Sequence, residues 1–194
     1  KVGGSSPLTH PRHRKLPRFS GLGAFLIPGT TITNQTDKFY KKMNHLISSK
    51  LDQSEILAAI FHPQPGIRNK TPSSCEEFEI LVESDVTLGC RLFTAQPEVP
   101  TIIYFHGNGE TVSDYDQIAP FYLEAGLNIL IAGYRGYGWS SGEPTVSALF
   151  NDGALVLDSF LEYCQANGFS EQVFIMGRSL GSASCIDLAY RFPE

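Results

Sequence analysis

The chain has 194 residues, 42% of them hydrophobic, with 18 Gly and 12 Pro and a net charge of −5. That is ordinary globular composition for one domain with an extension, and no apolar run approaches the length of a bilayer-spanning helix. The charge is unevenly placed: residues 1–50 carry nine Lys and Arg against one acid, a balance of +8, while residues 51–194 carry six against nineteen, a balance of −13. The acidic body gives no support for nucleic-acid binding, and no nucleic-acid partner is expected; the basic start, able to approach an anionic membrane surface or nucleic acid, reads first as a solvated tail.

Cys75, Cys90, Cys164 and Cys185 show no C-x-x-C spacing, so neither a zinc ribbon nor a redox pair is suggested. Reduced thiols in the cytoplasm, with peripheral membrane contact through residues 1–50, are the expectation. Leu22–Ile27 is apolar but has no signal-peptide form, and the chain starts without Met, so its natural start is expected upstream.

Residues 1–20, rich in Pro, Ser, Gly and basic side chains, are expected to form a disordered tail with little regular structure. Residues 21–70 read as a helical extension. Asp37–Ser49 has Phe39, Met43, Leu46 and Ile47 at helical spacing, and Leu51–Phe61 follows as a second short helix with Ser54 as its cap. Pro63, Pro65, Gly66 and Pro72 place a boundary near residues 65–75. From residue 71 to 194 the pattern changes. Glu77–Val82 and Val86–Phe93 predict a hairpin, and Thr101–Phe105, Asn128–Ala132 and Val173–Met176 predict buried strands. Helices are predicted over Ala119–Ala125, with Gly126 as its stop, over Val146–Asn167, ended by Gly168, and over Ser182–Arg191. Strands alternating with helices after a hairpin predict a mainly parallel sheet covered on both faces. Active groups then belong on the glycine-bearing loops after Phe105, Ala132 and Met176, at the carboxyl ends of the strands.

The last of those loops is Gly177-Arg-Ser-Leu-Gly181, set between a strand and a helix. That context makes Ser179 the candidate nucleophile on a tight elbow, with the helix amino end facing any charge that forms there. The backbone N–H of Leu180 would be one oxyanion donor. The second falls to the loop His106-Gly-Asn-Gly109, with Asn108 N–H as the choice and Gly109 next. His106 reads as a turn-shaping residue rather than the base. His10, His13, His45 and His62 lie in the tail and extension without the context of a base. Asp152, Asp158 and Asp187 fall in predicted helices and read as caps or surface charges. Arg178 reads as an ion-pair partner, with contact to an anionic substrate as the alternative, and Tyr134 and Arg135 as residues that shape the loop around Gly136, with a substrate role as the alternative. Gly107-x-Gly109 lacks the third glycine of a dinucleotide loop, and no Lys follows as in a P-loop.

Three motifs, His106-Gly-Asn-Gly109, Tyr134-Arg-Gly-Tyr-Gly-Trp-Ser-Ser-Gly-Glu-Pro144 and Gly177-Arg-Ser-Leu-Gly181, in this order and spacing, resemble the first part of an alpha/beta-hydrolase domain. They are most similar to its small intracellular serine esterase, lipase and thioesterase branch. The resemblance implies an alpha/beta-hydrolase fold lacking its C-terminal strands, Ser179 as nucleophile, and the Asn108 and Leu180 amides as oxyanion hole. It implies no metal and no organic cofactor. The expected partner is a small-molecule, acyl-lipid or acyl-protein substrate.

In that family the acid and base follow the serine on later loops. Here fifteen residues follow Ser179 and none is His. The expectation is a piece of a longer chain, inactive alone, with Val173–Met176 on an open sheet edge. The function expected of the intact protein is hydrolysis of carboxylic esters or thioesters through an acyl-enzyme. The alternative is a non-catalytic hydrolase-like binding or scaffolding module.

Overall fold

A computed structural model describes residues 14–15, 42, 43, 46 and 50–192. Six strands are present: β1 Arg14–Lys15, β2 Cys75–Glu83, β3 Val86–Phe93, β4 Thr101–Phe105, β5 Asn128–Ala132 and β6 Val173–Gly177. They form one sheet in the order β1-β2-β3-β5-β4-β6. The β2–β3 and β3–β5 pairs are antiparallel, and β4 lies parallel to both β5 and β6. The helices are α1 Ser54–Ile60, α2 Ala119–Glu124, α3 Val146–Asn167 and α4 Gly181–Arg191. The expected mixed α/β architecture, with helices on both faces of the sheet, is the one observed.

The two faces follow from the period-2 alternation of a strand. Ile103 and Phe105 of β4, with Leu130 and Ala132 of β5, join the core beneath α3 and α4, which includes Leu157, Phe160, Cys164 and Leu188. Ile102, Tyr104, Ile129 and Ile131 point the other way and pack with Val112, Tyr115 and Ala119. Both faces are covered, so the sequence of these strands is continuously apolar rather than alternating. β6 forms one edge of the described sheet. Phe174 and Met176 are exposed there, at 49% and 44%, as the expectation of an open edge required.

Helix ends follow local rules. The Thr145 hydroxyl accepts from Ala148 N–H at the start of α3, and Gly168 ends that helix in the left-handed region at φ 72°. A second cap comes from far away: Asp52 Oδ1 accepts from the N–H groups of Val146 and Ser147 at 2.8 and 3.2 Å. A carboxylate there also opposes the positive end of the helix dipole.

Four features differ from, or add to, the sequence expectations. The cap of α1 is Gln53, whose carbonyl accepts from Ile56 and Leu57 N–H, not Ser54, which is the first helical residue. A 3-10 turn at Val112–Tyr115 was not anticipated, although Thr111 and Asp114 carry the reciprocal capping pattern that starts it. Arg14–Lys15 pair in parallel with Phe78 and Glu79, a short strand inside a stretch expected to have little regular structure. Main-chain pairing along β2 needs no apolar pattern in the partner. Arg91, on β3, is fully buried, held by Asp116 at 2.6 Å, Glu77 at 3.0 Å and the Asn69 carbonyl at 2.6 Å. Of the predicted helix at 37–49, Lys42, Met43 and Leu46 are helical, and the rest lies outside the described residues.

Candidate active site

Three loops leave the sheet at one level. In the register of the parallel strands Phe105 pairs with Ala132 on one side and with Gly177 on the other. The loops that follow these residues therefore start side by side. They are the three glycine-bearing loops picked out in the sequence, at the carboxyl end of the sheet where such folds place their reactive groups.

The elbow is a real kink. Ser179 is exposed and has φ 52°, the one non-glycine residue with positive φ among the described residues. That conformation costs an L-residue roughly 1–2 kcal/mol, and such strain clusters at functional positions. The flanking glycines answer to close approach. A Cβ at Gly181 would sit 2.1 Å from the Phe105 carbonyl oxygen, and one at Gly177 would sit 2.4 Å from the Gly181 carbonyl oxygen. α4 starts immediately after the elbow, with Leu180 as its cap residue. The Arg178 N–H donates to the Phe105 carbonyl at 3.1 Å, which ties the elbow to the root of the His106–Gly109 loop.

That loop is fixed from several sides. Glu110 accepts from Gly107 N–H and from the Tyr115 hydroxyl, each at 2.7 Å, and forms an ion pair with Arg178. The Tyr134 hydroxyl donates to the His106 carbonyl at 2.8 Å. The side chain of Asn108 donates to the Ile60 carbonyl at 2.6 Å and accepts from the Tyr137 hydroxyl at 2.7 Å.

His106 is wholly buried, with its ring against Tyr134 and Tyr137 at centroid distances of 4.3 and 5.7 Å. Its Nδ1 lies 2.8 Å from the Gly107 carbonyl, an acceptor, so Nδ1 carries the proton. Burial pulls the imidazole down to about 4, against a smaller opposing pull from the Gly107 carbonyl. A base so weak is poorly matched to proton transfer near neutrality. The ring shapes the turn instead.

The remaining candidates take structural positions. Arg135 grips Asp152 through Nε and Nη2, both at 2.8 Å, and reaches Glu83 at 2.7 Å. Asp152 is buried, so the reading of it as a cap or surface charge is corrected: it is an internal counter-ion whose partner lies 17 residues back. Asp187 pairs with Arg191 one helical turn on. Asp158 is half-buried on α3, and burial raises its carboxyl. Sequence reasoning missed that Glu110, Tyr137 and His62 brace the loop. The Tyr134–Pro144 motif held Tyr137 in view, but its partner Asn108 is 29 residues away. Nothing local marks His62. Among the described residues no three His, Cys, Asp or Glu side chains converge to hold a metal ion.

A doubly covered sheet whose parallel strands deliver a strained serine beside a His-Gly-Asn loop belongs to the alpha/beta-hydrolase class. Residues 96–194 match the family described as serine aminopeptidase, S33. The chain belongs to that family. It is 29% identical over 177 residues to alpha/beta hydrolase domain-containing protein 17B of Homo sapiens, covering 88% of this chain and 55% of the relative. It is 32% identical over 117 residues to protein bem46 of Schizosaccharomyces pombe, covering 58% of this chain and 38% of the relative. Among solved structures, the Pyrococcus furiosus esterase Pf2001 superposes with a TM-score of 0.56 at 22% identity, over 69% of this chain and 55% of that one. A soluble variant of the Saccharomyces cerevisiae monoglyceride lipase gives 0.52 at 20% identity, over 66% and 44%. These two likenesses concern the fold. The chain spans about half the length, or less, of the relatives it matches. Among the described residues, no helix is long and apolar enough to cross a membrane.

Proposed function

We propose that this chain supplies the nucleophile and oxyanion hole of a serine hydrolase that cleaves carboxylic esters or thioesters through an acyl-enzyme. The observation that carries the reading is Ser179: exposed, at φ 52°, at the start of α4, between Gly177, which is pressed against Gly181, and Gly181, which is pressed against the Phe105–His106 backbone. Family membership and the names of two structural neighbours, an esterase and a lipase, support the same class.

In this reading the Ser179 hydroxyl attacks the substrate carbonyl, and the carbonyl oxygen gains charge against the Asn108 and Leu180 N–H groups. The C–O or C–S bond breaks, the alkoxide or thiolate leaves with a proton, and water then releases the acid from Ser179. The proton acceptor in such a mechanism is a His, oriented by an Asp or Glu. The basic residues 1–50, at +8, hold the protein near anionic membrane surfaces where acyl-lipid or acyl-protein substrates reside.

A fluorophosphonate probe on the full-length protein tests the chemistry. Labelling at Ser179, abolished in Ser179→Ala, is the expected result. Well-folded protein that takes no label sinks the reading and favours a non-catalytic binding module. Comparing aryl acetate, aryl thioacetate and aminoacyl anilide turnover then separates ester, thioester and peptide cleavage.

A further inference from the structure

The amino-terminal extension reaches the candidate site. Phe61, just past α1, is buried in the main core. Beyond it the backbone runs alongside the Tyr134–Pro144 motif: Gly66 N–H donates to the Gly138 carbonyl at 2.6 Å, and Gly138 N–H donates to the Gln64 carbonyl at 2.9 Å. Between these anchors the segment meets Asn108.

The contact uses the whole Asn108 amide. Its Nδ2 donates to the Ile60 carbonyl at 2.6 Å and to His62 Nδ1 at 2.9 Å. Its Oδ1 accepts from His62 N–H at 2.9 Å and from the Tyr137 hydroxyl at 2.7 Å. The His62 N–H also reaches the Tyr137 oxygen at 3.0 Å. An asparagine side chain has two donor hydrogens and two acceptor lone pairs, and all four are engaged. The Ile60 carbonyl can only accept and the His62 N–H can only donate, so the amide has one orientation here. His62 Nδ1 must then be an acceptor, which places the proton of the neutral ring on Nε2.

We infer that residues 60–66 act as a strap that sets the oxyanion hole, with His62 and Tyr137 as positioning residues that work through the Asn108 side chain. The inference rests on the reading of Asn108 N–H as an oxyanion donor. A side chain held at four points fixes the peptide that carries it. In such a hole the donor must already stand where charge will form, because reorientation during the reaction costs rate. The strap lies in the extension and not in the hydrolase motifs. The geometry therefore makes the segment before the first long strand a part of the catalytic unit.

The test uses full-length protein, p-nitrophenyl acetate hydrolysis, fluorophosphonate labelling and thermal unfolding, for wild type, Asn108→Asp, Tyr137→Phe and His62→Ala. Asn108→Asp keeps size but turns the contact to the Ile60 carbonyl into an acceptor–acceptor repulsion, while the His62 ring can move its proton to Nδ1 and donate to the new carboxylate. It should lower kcat by on the order of 100-fold, comparable to losing one oxyanion donor, with KM changed less than about two-fold. Tyr137→Phe removes the hydrogen bond to Asn108 Oδ1 and the contact with the His62 N–H, which keeps Asn108 Oδ1 as its acceptor, and should lower kcat roughly five-fold. His62→Ala, at an exposed position, should act in the same direction and more weakly. The double variant Asn108→Asp with His62→Ala should lose a different amount from the two single losses combined, since both act on one contact, and simple additivity would count against the coupling.

If Asn108→Asp does not fold, Tyr137→Phe and His62→Ala decide the matter. Unchanged kcat per folded molecule in those two, with only a lowered unfolding temperature, overturns the strap and leaves a structural contact. Wild-type protein that takes no label at Ser179 overturns the hydrolase reading and the strap together. A labelled wild type with indifferent variants overturns the strap alone.

Discussion

The Arg178 guanidinium, one residue before Ser179, is ion-paired with the Glu110 carboxylate, which also accepts from Gly107 N–H. One carboxylate thus joins the elbow to the loop that faces it. The two partners are not equal. The Arg178 side chain is 60% exposed, whereas Glu110 is 25% exposed and also holds the Tyr115 hydroxyl.

Arg178→Gln should therefore cost no more than about 1 kcal/mol, as exposed ion pairs do. Glu110→Ala leaves the Gly107 N–H and the largely buried Tyr115 hydroxyl without their acceptor, and should cost about 1–3 kcal/mol. Urea unfolding of both variants gives the comparison. Equal losses would mean that the ion pair, and not the loop contact, carries the effect.

Ser179→Gly should stabilise the fold. The residue sits at φ 52°, and relief of that strain, less the added entropy of a glycine in the unfolded chain, leaves a gain of up to about 1 kcal/mol. Ser179→Ala keeps the strain and should be near neutral. Both should lose fluorophosphonate labelling. A glycine variant less stable than the alanine variant would contradict a strained elbow.

Gly181→Ala meets backbone, not a flexible side chain, because its Cβ would lie 2.1 Å from the Phe105 carbonyl oxygen and 2.9 Å from that of His106. The strand and helix must separate to admit it. The expected loss reaches or exceeds the top of the roughly 1–3 kcal/mol range for overpacking, and labelling of Ser179 should fall with it. Wild-type melting behaviour in this variant would show that α4 stands further from β4.

His106 makes stability depend on pH. Its ring titrates near 6.5 when exposed and is pulled down to about 4 in the fold by burial. Between those values the unfolded chain binds the extra proton, so stability is fully present above about pH 6.5 and falls as pH drops toward about 4, by roughly 3 kcal/mol in all. The difference between wild type and His106→Gln, followed by urea unfolding across that window, should carry this slope. Parallel curves would place the ring in contact with water.

Arg91 is the buried charge on which the opposite side of the sheet relies. Arg91→Met leaves the Asp116 carboxylate without its cation and Glu77 with Arg68 alone, and should cost about 3–5 kcal/mol. Adding Glu77→Gln and Asp116→Asn should recover part of that loss. Chemical denaturation of the single and triple variants measures both, and no recovery would mean that packing against Trp139, and not charge, sets the cost.

Sequence by itself determined what depends on neighbours along the chain. Apolar runs, glycine stops and the Gly-x-Ser-x-Gly turn act over one strand or one helical turn, so the main strands, the long helix ended at Gly168 and the exposed elbow serine were all legible. Tertiary structure decided the pairings between distant residues: Asp152 with Arg135, Asp52 on the start of α3, Arg91 with Glu77 and Asp116, and the four bonds to the Asn108 amide. A polar side chain in isolation has many satisfactory partners, water among them. Burial removes the water, and only the folded topology selects which group stands within hydrogen-bonding reach.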